Sequence, residues 1–456
     1  MMDARAIEKV NEGIYELNGA EVYRMPVILM LYPAYGTVSC HEVCRYVEKY
    51  GDVRMVLADD TPTTSDMDIF DDVWELPPPE RLQEAHELLR RWCEKNRPDG
   101  IFLQSERGLL LGSLIAREFN LKAPSVEAAL LCSNKYLQRE ALLRAGVGNP
   151  LFTLGENAAD VRRLASESNF PVVLKCVIST MSRLVTLVKS QEEVEPAVAR
   201  VKEGIEKSLD VARLLSFADT AKVDLGCDPR RQFLIESFLG GDLVETDGLL
   251  IGDKPYTFGV TEQIQSIDPP FFIEAYLFPA EYTDNQAVER VSDAAIKALG
   301  LGDSAFSIEM RAKDGDIRII EVNGRLGWDD GFTDLFRVHT HQDRITQVVQ
   351  MALGTEPEIV HDNSHFAALA YRSCYYDGIV RELPAKDEIS RMGNKEVKLG
   401  LATNKGARFF SPPNPEVYPH VAWALATHPA SSRAAHAIAR QALEKLDIVI
   451  EKVAVN

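Results

Sequence analysis

The chain has 456 residues, room for about three domains of ordinary size, and 46% apolar with 26% charged residues excludes wholesale disorder. A formal charge of −19 argues against a nucleic-acid or anionic-membrane partner, though not against a small anion held by local Lys, Arg or metal. Seven scattered cysteines give no disulfide framework and read as reduced thiols of a cytoplasmic protein, and the apolar run 25–33 is too short to cross a bilayer.

In chain order, the first third alternates strand and helix signals. Apolar runs at 27–31, 53–57 and 99–103 are each followed by a loop, and helical stretches reach to 50 and cover 80–96. Unbroken apolar strands repeated this way predict a parallel sheet covered on both faces, with ligands beyond the carboxyl ends, where Tyr35, Asp59 and Glu106 lie. From 124 a helix over 133–143 leads to a small α+β unit: helix 158–168, strand 171–177, loop 178–183, strand 184–189 and one long helix from 191 to about 209. Alternating strands follow at 233–238, 243–251 and 256–262, then helix 284–299, then a pair at 305–311 and 316–322 around the hairpin signal Asp314-Gly315. A helix runs through 353, and the tail adds strands and a terminal helix over 431–446.

Two familiar signatures fail. Gly300-Leu-Gly302-Asp-Ser-Ala305 ends a helix and opens a strand, the reverse of a dinucleotide-binding turn. Cys40 and Cys44 share a helix face, but no second cluster completes four metal ligands. The informative set is Glu309, Glu321, Asn323 and Arg325. Both acids interrupt apolar runs on strands that flank a tight turn, so they can meet on one face, and an unpaired buried carboxylate is costly. A shared divalent cation would resolve that; hard oxygen donors with room for phosphate oxygens suit Mg²⁺, and Arg325 could neutralise a phosphoryl group or an oxyanion. The alternative is an ordinary half-exposed hairpin whose acids face water.

Glu309, the twelve-residue step to Glu321, and Glu321-Val-Asn-Gly-Arg325 resemble the metal-binding signature of the ATP-grasp carboxylate–amine ligases. Other pieces follow in order: Ser133-Asn-Lys135 resembles the first lysine, Ala145-Gly-Val-Gly-Asn-Pro150 the entry to the lid domain, and Phe170-Pro-Val-Val-Leu-Lys175 the strand whose lysine contacts ATP. Residues 178–185 fall where that family has its phosphate loop. They keep Ser182 and Arg183, but Ser179, Met181 and Leu184 replace the usual glycines, which implies a stiffer loop. Phe233-Leu-Ile-Glu-Ser-Phe-Leu239 resembles the adenine-gripping linker, placing Glu236, Ser237, Phe238 and Leu239 on the nucleotide; Asp242 or Glu245 would stand in for the ribose-binding acid, which would fall near Leu243. Within the superfamily, 261–280 resembles the L-amino acid ligases, where Glu274 matches a glutamate that binds an α-amino group, although Leu277 replaces a frequent histidine. Gly324 to Gly331 matches the substrate-facing loop, with Arg325, Gly327 and Trp328 toward substrate.

The resemblance implies an ATP-grasp fold of α/β and α+β parts: a parallel-sheet domain over 1–123, a linker helix with the central lid over 124–238, and a mixed or antiparallel C-terminal domain over 239–456. It implies ATP and Mg²⁺, two ions held by Glu309, Glu321 and Asn323, with Mn²⁺ able to substitute. Lys135, Lys175, Ser182 and Arg183 would hold nucleotide, with Ser182, Arg183 and Arg325 acting on the reacting groups. It further implies small-molecule carboxylate and amine substrates, no nucleic acid or membrane, and a homodimer by default. The lid would hinge near Pro150 and Gly240-Gly241, its 178–185 loop open without nucleotide. Rival readings are a ligase for another carboxylate, a bicarbonate-using carboxylase, and a non-catalytic nucleotide-binding module.

Overall fold

The structure, a computed structural model, describes residues 14–17, 20–33, 43–44, 47, 51–180, 182–281, 284–327, 329–359, 365–411 and 418–453. Tyr35, Cys40, Met181 and Trp328 lie outside them, as does most of the helical stretch expected before residue 50.

After a hairpin of β1 (Ile14–Leu17) and β2 (Ala20–Tyr23) comes a parallel sheet of β3 (Val27–Leu31), β4 (Arg54–Asp59), β5 (Asp72–Glu75) and β6 (Gly100–Phe102), in the order β5-β4-β3-β6. The apolar run of β3 is buried throughout, and alternate residues serve separate cores: Val27, Leu29 and Leu31 pack on one side, Ile28 and Met30 on the other. Strand β5 went unread because Asp72-Val-Trp-Glu75 has no apolar run and sits at the sheet edge. The helix Glu106–Phe119 follows β6, and Gly108 lets it approach closely: a Cβ there would lie 2.6 Å from the Leu31 carbonyl oxygen. That approach fixes Glu106 at the carboxyl end of the sheet.

The small central unit is one antiparallel sheet of β7 (Phe152–Gly155), β8 (Val172–Cys176), β9 (Val185–Val188) and β10 (Phe233–Ser237), ordered β7-β10-β8-β9. The single long helix expected from 191 to 209 is two, Val194–Glu206 and Leu209–Ala221. Ser208 breaks it by accepting a hydrogen bond from the Val211 amide, capping the second helix.

An eight-stranded antiparallel sheet carries the rest. Its members are β11 (Asp242–Ile251), β12 (Lys254–Gln265), β13 (Ile273–Phe278), β14 (Ser304–Lys313), β15 (Asp316–Asn323), β16 (Phe366–Ser373), β18 (Val397–Leu401) and β20 (His420–His428). They run β15-β14-β11-β12-β13-β16-β20-β18. A three-stranded sheet of β17 (Gly378–Glu382), β19 (Arg408–Phe409) and β21 (Val449–Lys452) flanks it, and helix Ser432–Glu444 packs on β16 and β20. The hairpin at Asp314-Gly315 has φ of 52° and 83°, the two left-handed residues a tight β-turn of the primed kind requires. The stretch expected as one helix through 353 is Phe332–Thr340 and Arg344–Ala352, the second capped by Asp343.

Candidate active site

A cavity of about 830 Å³ opens where the three units meet. On its floor, the turn at 314–315 fixes the register of β14 and β15, and that register sets Glu309 directly opposite Glu321 and Ser307 opposite Asn323. The adjacent strand β11 pairs Glu245 with Glu309 and Asp247 with Ser307. Directly opposed residues share a face, so Glu245, Glu309 and Glu321 form one row across three strands.

The three acids differ in company. Glu321 is paired with the Lys135 ammonium, which also donates to the Ser179 carbonyl at 3.0 Å. Glu245 accepts from Ser307 Oγ and Gln263 Nε2, each at 2.5 Å, and burial, reinforced by the Asp247 charge, pushes its carboxyl up. Glu309 has no hydrogen-bond or ion-pair partner among the described residues; burial, then the Glu245 and Glu321 charges, push it up to about 8. Among the described residues no three His, Cys, Asp or Glu side chains are grouped to hold a metal by themselves. An unpartnered carboxylate facing a second one, with Asn323 beside them, nevertheless fits a hard dication that takes its remaining oxygens from phosphate and water.

The opposite wall is already neutralised. Glu236 on β10 accepts from Arg139 Nε at 2.6 Å and lies 2.8 Å from the Lys175 ammonium at the end of β8. Burial alone would raise its carboxyl, but Arg139 and Lys175 outweigh it and hold the group down at about 2. Arg139 also donates to the Ile320 carbonyl, while its Nη1 is buried without a hydrogen bond. Arg139 had a signal the sequence reading passed over: it stands one helical turn after Lys135, on the same face of helix Lys135–Arg144.

Ser237, Phe238 and Leu239 line the cavity next to Glu236. Ser182 and Arg183 close over it: Ser182 Oγ donates to the Phe271 carbonyl at 3.2 Å, and Arg183 Nη2 to Thr180 Oγ1 at 3.0 Å. Instead of standing open, the loop rests on the segment before β13. Ser182 and Leu184 take left-handed φ of 55° where glycines would be relaxed, and Leu184 is wedged against Gly204, where a Cβ would lie 2.0 Å from Leu184 Cδ2.

At the substrate end, Arg325 is gripped by Glu106, its Nε at 2.7 Å from Glu106 Oε1 and its Nη2 on the same oxygen. Burial would lower the guanidinium, but Glu106 outweighs it and the pair stays ionised. The Gly327 amide donates to Asp247 Oδ1 at 2.7 Å. Two expected residues are not on the wall. Glu274 accepts from the Tyr375 hydroxyl at 3.3 Å and does not line the cavity, because a register shift between Ile264 and Gln265 changes which residues of β13 face it. Asp242 is exposed at the start of β11, so of the two ribose candidates only Glu245 reaches the cavity, and there it belongs to the row of acids. Asp329 and Tyr276, which lie inside the matched segments without being singled out, do line it, as do Tyr418 and His420, which no motif marked.

Comparison with known proteins agrees with this architecture. Residues 168–334 match the ATP-grasp domain family. An L-amino acid ligase from Bacillus licheniformis superposes with a TM-score of 0.75 at 20% identity, covering 94% of this chain and 99% of that one. An uncharacterized protein, y4rH, of Sinorhizobium fredii is 29% identical over 290 residues, 62% of this chain and 55% of its own length. Human carnosine synthase 1 is 25% identical over 274 residues, 57% of this chain and 31% of its own length. The chain thus spans about half and about a third of the lengths of these two relatives. It is a protein of the ATP-grasp fold, with a parallel sheet in its N-terminal part and antiparallel sheets elsewhere. Within that superfamily its resemblance is to the carboxylate–amine ligases, and among those to the L-amino acid ligase group.

Proposed function

We propose that the protein is an ATP-dependent ligase that activates a carboxylate, that of an amino acid, as an acyl phosphate and joins it to an amine. The amine attacks the acyl carbon, phosphate leaves, and an amide or dipeptide forms with ADP and phosphate as co-products. The observation that carries this reading is the register that sets Glu309 against Glu321 inside the cavity Arg325 also lines. A carboxylate is a poor electrophile, so the protein must align it with the γ-phosphoryl group, neutralise charge and keep water out.

Glu309, Glu321 and Asn323 would hold Mg²⁺, two ions, with Mn²⁺ as substitute; when bound, the metal would supply positive charge against the phosphates. Lys135 and Lys175 bring ammonium groups to the same wall and would hold the nucleotide phosphates, with Ser182 and Arg183 above them. Ser237, Phe238 and Leu239 follow the Glu236 ion pairs and would hold the adenine through backbone groups. Arg325, kept cationic and oriented by Glu106, would stabilise the oxyanion of the tetrahedral adduct. The Ser182–Phe271 contact closes the lid and limits water entry.

The test is a phosphate-release screen over pairs of amino acids with ATP and Mg²⁺, the product masses read directly. Release of ADP and phosphate with an amide product supports the ligase. Turnover driven by bicarbonate alone, or ATP binding with no release for any pair, sinks it. Imaging of the tagged chain in cells tests a cytoplasmic site of action, and sedimentation tests the homodimer.

A further inference from the structure

Past Glu245 the cavity wall is built by Tyr276 on β13, Asp329 in the loop after β15, and Tyr418 and His420 where β20 begins, the last two far along the chain from the signature motifs. These groups converge. The Asp329 charge acts on Tyr276, Tyr418, His420 and Glu245 alike. Asp329 Oδ2 accepts from the Tyr276 hydroxyl, and among the described residues no Lys or Arg pairs with Asp329. Glu245 has only the two neutral donors already named. His420 is buried, 2.9 Å from the Ile273 carbonyl and stacked 3.7 Å from Tyr371, and burial keeps it neutral. Gln263, 5% exposed, lies between Glu245 and Tyr276 and holds Glu245 through its Nε2. This end of the cavity therefore offers two carboxylates and aromatic rings, and among the described residues no Lys or Arg is hydrogen-bonded or ion-paired to either acid.

We propose that this end takes the α-ammonium group of the amino acid whose carboxylate is activated, held by Asp329 and Glu245 beside the rings of Tyr276 and Tyr418, and that Asp329, not Glu274, sets the requirement for that group. The inference rests on the ligase reading and adds the residue that selects the substrate. An ammonium group brings three donors and a full charge, matching the two acids, and aromatic faces attract it.

The experiment measures ADP release by the full-length protein with an amino acid substrate found in the screen, beside its des-amino analogue. Asp329→Asn should raise KM for the amino acid by about 30-fold and leave KM for ATP within about twofold, while Glu274→Gln moves the amino acid KM less than about threefold. Tyr418→Leu, which removes the ring, should raise KM for the amino acid by about fivefold. The proposal is overturned if Glu274→Gln carries the loss, if Asp329→Asn changes KM for ATP instead, or if it only lowers the melting temperature. Should Asp329→Asn fail to fold, Tyr418→Leu decides alone, and an unchanged KM for the amino acid overturns the proposal. Should no pair release ADP, the ligase reading fails first; calorimetric binding of the amino acid against its des-amino analogue then still tests the pocket, and equal affinity for the two rejects it.

Discussion

Two carboxylate groups in one cavity are treated in opposite ways. Glu236 lies between Arg139 and Lys175, and its carboxyl is held down at about 2. Glu309, on the floor, has no partner among the described residues and is pushed up to about 8. Both are buried, so burial does not separate them; the supply of counter-charge does. Where the chain provides its own cations it has built a fixed wall. Where it withholds them it has left a place whose charge must come from elsewhere, and the cations that the proposed ligase would import, metal and ammonium, are of the sign required.

The sharpest way to break this contrast is to neutralise each acid in turn. Glu309→Gln should lower kcat/KM by about 10²- to 10³-fold, because the group matters only to the charge brought into the site. It should leave the metal-free melting temperature unchanged or raised, since a costly buried carboxylate has gone. At Glu236 the order reverses. Arg139→Met leaves Glu236 with Lys175 alone and should destabilise the fold by about 3 kcal/mol, read by urea unfolding. If both substitutions cost stability equally, the distinction between fixed wall and receptive floor is wrong.

The pH dependence separates the same pair. The folded protein holds a proton on Glu309 that the unfolded chain has lost between about pH 4.5 and 8, so metal-free stability from this group falls as pH rises through that window. A dication must displace the proton, so the Mg²⁺-induced rise in melting temperature should grow from pH 6.5 to 8.5 and vanish in Glu309→Gln. Glu236 runs the other way: its contribution is complete above about pH 4.5 and is lost as pH falls toward 2.

How much of this was legible without coordinates depended on what kind of signal carried it. The hairpin around Asp314-Gly315 was readable because turn chemistry and strand periodicity are local, and register follows from them. The row's third member was not. Glu245 reaches Glu309 across a strand pairing between residues 64 apart, and nothing in the spacing announces it. Arg139 was readable in principle from its helical step to Lys135. Tyr418 and His420 come from a strand about a hundred residues beyond the signature, and only the sheet order β13-β16-β20 brings them to Tyr276. The displacement of Glu274 from the wall turned on a single register shift, which alternation alone does not predict.

The smallest expected effect concerns the strap over both regions. Leu184 sits with a left-handed backbone and its side chain seated on Gly204, so the loop is held by a contact in place of the freedom that glycines would have given. Gly204→Ala lies in the helix Val194–Glu206, where alanine favours the helix by up to about 1 kcal/mol. The new methyl would meet Leu184 Cδ2 at 2.0 Å and must push that side chain out of its seat. The two effects nearly cancel in global stability, so the melting temperature should move by less than about 2 °C. The loop itself should loosen: proteolysis near 182–185 should quicken and KM for ATP rise about two- to threefold. A variant that is more stable with an unchanged cleavage rate would mean that Leu184 does not hold the loop, and that the Ser182 bond to Phe271 suffices to keep the lid down.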